Sequence, residues 1–270
     1  MATKSTRARN RGQDKLTKAR AKVHPVGDEF KDLKILVYGQ NGKGKTRLGA
    51  SGPRKVLLVD CNEKGSLSVR NFAGVDIFPI EVWTDIDLAY WYAHSTDDYD
   101  TIVIDTVTSL AALAMKFVLG DESSRDPTRD PNMPERRHWG KVGELMKTQI
   151  LQFRNLPMHV VFLAQERRGY SEDDDEAPEV FPEVSPSIRT TLTAAVDIIG
   201  RVYVREVTEK QQVNGKTKSV SVPEYRMQIG PSSRYITKDR SESGLPSVIR
   251  LGPGENNLDQ LVQRIKKGVK

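Results

Sequence analysis

Cysteine is almost absent from this sequence: Cys61 is the only one in 270 residues. An internal disulfide is therefore excluded, and so are metal centres built on cysteine clusters. A lone thiol at the end of an apolar run fits a reducing, cytoplasmic setting. Long apolar runs are missing as well. None reaches the roughly eighteen residues that a membrane helix needs, and the basic first residues lead into no apolar stretch, so neither a membrane span nor a secretory leader is expected. Acids are scarce only at the start. Residues 1–22 carry eight lysines and arginines against one acid, Asp14, while the whole chain has a net charge of +6 at pH 7. Such a segment cannot offset its ordering entropy by burial, and residues 1–30 read as a disordered basic tail. It either neutralises phosphates of a nucleic acid or serves as a solubilising terminus.

With 37% hydrophobic residues, the remainder can bury one substantial core, expected over residues 31–255, followed by a terminal helix over 256–270. Short apolar runs recur at 33–38, 56–59, 101–104, 159–164 and 195–204. They are continuous rather than alternating, which indicates strands covered on both faces: an α/β architecture with a mainly parallel sheet flanked by helices. Thr84 and Asp87 resemble a capping box opening a helix over 84–92, and Val142, Leu145, Met146, Ile150 and Phe153 share one face of another. After the fifth run, Asn214-Gly215 between alternating segments predicts a type I′ hairpin and an antiparallel extension of the sheet. Leu258, Leu261, Val262 and Ile265 mark the terminal amphipathic helix, with Lys266 and Lys267 at its C-terminal end. Two stretches, 121–134 and 171–183, read as mobile.

The strongest chemical signal is Gly39-Gln40-Asn41-Gly42-Lys43-Gly44-Lys45-Thr46, a G-x-x-x-x-G-K-[ST] loop between a predicted strand and a predicted helix. Its glycines allow successive backbone N–H groups to face an anion, and the helix start adds partial positive charge. Lys45 is expected on the terminal phosphates of ATP and Thr46 on Mg²⁺. Arg47 completes the nucleotide-binding set. The third run ends in Asp105, placed to fix the magnesium ion or to cap the helix that follows, two roles that can coexist. Many triphosphatases carry glutamate directly after this aspartate; here Thr106 stands there. A general base is then expected from the second strand's end, where Glu63 borders the cleft. A guanine-reading N/T-K-x-D motif is also missing, since Thr237-Lys238-Asp239 is followed by Arg240, and adenine is favoured.

Taken together, these segments resemble the RecA-like recombination ATPases, and among them the small phage-encoded single-strand-annealing ATPases, over about residues 32–250. Gly39 to Thr46 resembles the family's Walker A, Asp60 to Glu63 its strand-end acid segment, and Ile104-Asp105-Thr106-Val107 its Walker B. The resemblance implies that Gln165, ending Val160-Val161-Phe162-Leu163-Ala164, senses the γ-phosphate. A strand lying between those of Walker A and Walker B would put an amide there independently of the name. It further implies that Lys238 and Arg240 reach a neighbouring subunit's nucleotide. Two DNA-binding loops would correspond to 121–139 and 167–187, where Arg136, Arg137, Trp139, Arg167, Arg168 and Tyr170 combine cations with stacking rings. The acidic run Glu172-Asp173-Asp174-Asp175-Glu176 opposes that role. The function so implied is an oligomeric Mg-dependent ATPase, stimulated by single-stranded DNA in phage recombination or annealing, with a single-strand-binding protein as a further partner, in the bacterial host cytoplasm. The alternatives are a loader or remodelling factor acting on a replication protein, and a nucleotide-gated adaptor.

Overall fold

The computed structural model describes residues 14–23, 32–125, 133–170, 178–213, 216–252 and 257–268. The chain divides into two units at Asp32 and Leu33. Within the first, residues 14–20 form helix α1 where disorder was expected, while 1–13 and 24–31 lie outside the described residues. Lysine, leucine, alanine and arginine favour helix, and Asp14 and Lys18 pair at 3.1 Å across one turn. All its side chains are exposed, so local propensity alone accounts for it.

The second unit runs through β1 (Lys34–Gly39), α2 (Lys45–Ala50), β2 (Val56–Asp60), a 3-10 turn (Gly65–Val69), β3 (Val75–Pro79) and α3 (Asp85–Ser95). Then come β4 (Thr101–Asp105), α4 (Val107–Arg125), α5 (Arg136–Arg154), β5 (His159–Arg168), β6 (Val180–Pro182), α6 (Pro186–Ala195), β7 (Ile198–Val213), β8 (Lys216–Gln228), β9 (Lys238–Asp239), β10 (Val248–Leu251) and α7 (Leu258–Gly268). The sheet order is β10-β8-β7-β1-β5-β4-β2-β3, with β6 on β5 and β9 on β7. From β3 to β7 the strands are parallel. β8, β9 and β10 join antiparallel, the predicted extension. The turn at 214–215 lies outside the described residues.

Side chains alternate between sheet faces. Leu36, Leu57, Val59, Ile102, Ile104, Val160 and Phe162 pack with α3, α4, α5 and α6. Ile35, Val37, Leu58, Val103, Val161 and Leu163 pack with Leu48 of α2 and with Leu258, Leu261, Val262 and Ile265 of α7. Both faces are dry, which is why these strands read as unbroken apolar runs. Helix α7 is thus part of the same unit as the sheet. Helix α3 forms where expected but without its capping box: the Thr84 side chain makes no cap bond, and Gln149 Nε2 donates to Asp87 at 2.6 Å across to α5. A carboxylate claimed by a neighbouring helix is lost to the cap.

Topology now positions the chemistry. Because β5 lies between β1 and β4, Gly39 stands opposite Gln165 and Asp105 opposite Leu163, while Asp60 stands opposite Asp105 on β2. The C-terminal ends of β1, β2, β4 and β5 therefore share one edge, where open α/β sheets bind their ligands.

Candidate active site

The loop leaving β1 is shaped by left-handed glycines. Gly42 has φ of 71° and Gly44 of 87°, conformations that cost side-chain-bearing residues energy. Nothing lies within 4 Å of where a Cβ on Gly42 would project, so the loop mouth is open. Gly39 is constrained by contact instead: a Cβ there would stand 2.4 Å from the Val202 carbonyl oxygen of β7. Gln40, Asn41 and Arg47 are exposed and Lys43 half-buried. Arg47 lies over the Phe72 ring, 5.7 Å from its centroid.

Lys45 is 6% exposed. Its Nζ donates to the carbonyls of Gly39 at 2.9 Å and Gln40 at 3.0 Å and to Gln165 Oε1 at 2.7 Å. These acceptors are all neutral, and burial lowers its pKa against the opposing charges of Asp105, Glu63 and Glu166. A buried ammonium held by neutral oxygens beside an open glycine cradle fits a bound polyphosphate.

Thr46 Oγ1 donates to Asp105 Oδ2 at 2.7 Å. Asp105 is 2% exposed, and its pKa is pushed up to about 6, chiefly by burial and further by Glu63 and Asp60, against the Thr46 hydrogen bond and Lys45. Gly65 packs close: a Cβ on it would meet Asp105 Oδ2 and Thr46 Cγ2, both at 3.3 Å. One hydroxyl and one carboxylate suit Mg²⁺, which keeps waters and takes its other ligands from substrate phosphates. Among the described residues no cluster of three or more His, Cys, Asp or Glu side chains forms a separate metal centre. The capping role open to Asp105 falls to its neighbour: Thr106 Oγ1 accepts the Ser109 backbone N–H at 3.1 Å, at the start of α4.

Glu63 faces this group from β2's end. Asp60 Oδ1 shapes the turn by accepting the N–H groups of Glu63 at 2.8 Å and Lys64 at 3.1 Å. Glu63 Oε1 then receives the hydroxyls of Thr106 at 2.9 Å and Ser109 at 2.5 Å. One carboxylate oxygen is pinned and the other receives no hydrogen bond from the described residues. Ser109 and Thr106 were not singled out from sequence as supports for Glu63. The available signal was the i,i+3 hydroxyl pair in the first turn after Asp105. Thr108 was missed similarly; its hydroxyl accepts the Gln165 N–H at 3.0 Å and fixes the tip of β5.

Beyond Gln165, β5 continues as an antiparallel ribbon with β6, pairing Glu166 with Pro182, Arg167 with Phe181 and Arg168 with Val180. The segment expected as a loop over 167–187 is instead strand, turn and helix, with 171–177, including the acidic run, outside the described residues. Arg167 and Arg168 are exposed, and Tyr170 is 90% exposed. Glu166 forms a two-pronged ion pair with Arg201, at 2.9 and 3.3 Å.

The other expected loop, 121–139, is largely the facing ends of α4 and α5, with 126–132 outside the described residues. Arg137 there is engaged by Glu122 at 2.8 Å and Glu135 at 3.0 Å. Arg136 and Trp139 remain exposed. Lys238 is engaged within its own chain. Its ammonium donates to the carbonyls of Thr193 at 2.7 Å and Val196 at 2.5 Å, closing the C-terminal end of α6 in its own chain. Arg240 is exposed on the following turn.

A glycine cradle with buried lysine, a hydroxyl–aspartate pair and a glutamine-tipped central strand, on a β7-β1-β5-β4-β2 parallel core, define a P-loop ATPase of the RecA-like type. The model of the AAA domain family matches residues 31–241, and the chain belongs to that family. Among solved structures it is similar to the flagellar accessory protein FlaH from Methanocaldococcus jannaschii, with 11% identity, 81% of this chain and 84% of that chain covered, and a TM-score of 0.35. A likeness that distant carries no argument. No curated protein matches the chain.

Proposed function

We propose that the chain hydrolyses ATP with Mg²⁺ and couples the nucleotide's state to single-stranded DNA, as an oligomer. The observation that carries this reading is the 2.7 Å bond between Lys45 and Gln165, on a strand that continues through Arg167 and Arg168, with Tyr170 two residues beyond its end. Lys45 grips the terminal phosphates and, in doing so, exchanges its bond to Gln165 for one to phosphate. Gln165 is thereby released or re-engaged at the base of a ribbon that presents cations and an exposed ring, the composition that suits a single strand. Thr46 and Asp105 would hold Mg²⁺, which when bound would neutralise and orient phosphate oxygens. Glu63, pinned through one oxygen, orients the attacking water with the other.

The setting of phage recombination or annealing rests on the family resemblance and on this ribbon. ATP turnover measured with and without single-stranded DNA, across a salt series, tests the reading. DNA stimulation that fades with rising salt is expected; turnover indifferent to every DNA tried would overturn the DNA arm. A second reading, action on a protein partner, draws support from the exposed apolar group Val82, Leu88 and Trp91, at 55, 60 and 60%. Turnover stimulated by a replication protein and not by DNA would favour it.

A further inference from the structure

Tyr225 of β8 stands against the phosphate loop. A Cβ on Gly44 would meet its ring at 3.4 Å from Cδ1 and 3.6 Å from Cε1. The ring is nevertheless 39% exposed, so one side covers the loop and the other is open. Its position is rigid: Tyr225 pairs with Val204 of β7 on one side and Leu251 of β10 on the other. On the neighbouring residue, Glu224 ties Arg226 and Arg250 together.

The direction of a bound nucleotide follows from the groups already placed. Gln165 on β5 and Asp105 on β4 mark the terminal-phosphate and metal end, on one flank of β1. β7 and β8 lie on the other flank, since the order is β8-β7-β1-β5-β4. A triphosphate whose end is held by Lys45 beside Gln165 therefore extends its nucleoside away from β5, across the loop toward β8. Tyr225 is the aromatic side chain found there against a loop glycine.

We propose that the open face of the Tyr225 ring is the platform on which the purine base of the nucleotide stacks. This rests on the triphosphate reading of the loop. The competing role is passive, a ring filling the space above Gly44, and the two roles differ in what they do to a ligand that has phosphates but no base. A stacking platform contributes to ATP binding alone, whereas a packing ring supports the loop for every polyphosphate.

Calorimetry of the full chain with ATP and with inorganic tripolyphosphate, both with Mg²⁺, separates them. Tyr225→Leu is expected to weaken ATP binding by about tenfold, within the range that base–aromatic stacking gives, and to leave tripolyphosphate binding unchanged. Tyr225→Phe should bind ATP as the parent does. In Tyr225→Trp, indole emission should be quenched by ATP and not by tripolyphosphate, a readout that survives if the leucine variant packs poorly. Equal weakening of both ligands in the leucine variant, or no weakening of either, overturns the platform. A parent chain that binds neither ligand overturns the nucleotide reading itself.

Discussion

Asp105 is ionisable, 2% exposed and drawn up to a pKa of about 6 from an ordinary 3.8 by burial. Below pH 4 the carboxyl is protonated both folded and unfolded and exerts no pull on the equilibrium. Between 4 and 6 the unfolded chain releases this proton first, so the folded state loses stability as pH rises, by on the order of 3 kcal/mol once both are ionised. Asp105→Asn should therefore melt higher than the parent at pH 8 in the absence of nucleotide, with a difference that shrinks as the pH falls below 6. Calorimetric melting at several pH values checks it. Ser109→Ala removes one of the two hydroxyls that orient Glu63, and kcat should fall by about tenfold with ATP affinity unchanged, as a lost hydrogen bond to a charged group implies. Steady-state kinetics beside equilibrium binding separates the two quantities. At this scale Lys45 and Thr46 were legible because a loop fixes the geometry of adjacent residues, and Asp105 because it ends an apolar run. Ser109 and Thr108 were not, because their partners Glu63 and Gln165 lie 46 and 57 positions away, nor was Gly65, and only the folded sheet brings them together.

Strands that are dry on both sides announced themselves, and β1, β2, β4 and β5 stand within a few residues of the apolar runs. β3 did not: it is the sheet's edge, with Asp76 and Ile77 exposed, and its five residues carry no unbroken pattern. Helix α4 was legible only as the helix following Asp105, and its length was hidden for the opposite reason. It opens with Val107, Thr108 and Ser109 and then runs through Leu110, Leu113, Ala114 and Val118 with little polar contrast around its circumference. Helix α6 became consequential only once Lys238 was seen to close it. Lys238→Met should lower the melting temperature by a few degrees, the cost of leaving two carbonyls without their donor, while ATP binding by the isolated chain persists. Unchanged stability together with impaired turnover only in the assembled state would restore the trans-acting role. Gly39→Ala is expected to do worse, since the added methyl runs into β7 backbone rather than a movable side chain, and loss of soluble protein is the measurable outcome.

The whole chain splits into a basic leading unit and a larger one that contains every group of the nucleotide site. Removing residues 1–31 should therefore leave ATP affinity intact and reduce both the affinity for single-stranded DNA and the steepness of its salt dependence, read by anisotropy of a labelled oligonucleotide. Composition revealed this division through charge, though helix α1 depends on local propensity that a disorder argument passes over. The larger unit runs from Leu33 to Lys270, and α7's place within it became clear only from the apolar residues it shares with α2. No helix among the described residues is long and apolar enough to cross a membrane. Cys61 is sealed within the sheet, fully buried, with its thiol pushed well above its ordinary pKa by desolvation. The native chain is accordingly expected to be silent toward maleimide dyes. A cysteine introduced at Tyr170 would be the sole reactive handle, and a fluorophore there could report ribbon movement against ATP in real time without any background thiol having to be engineered out.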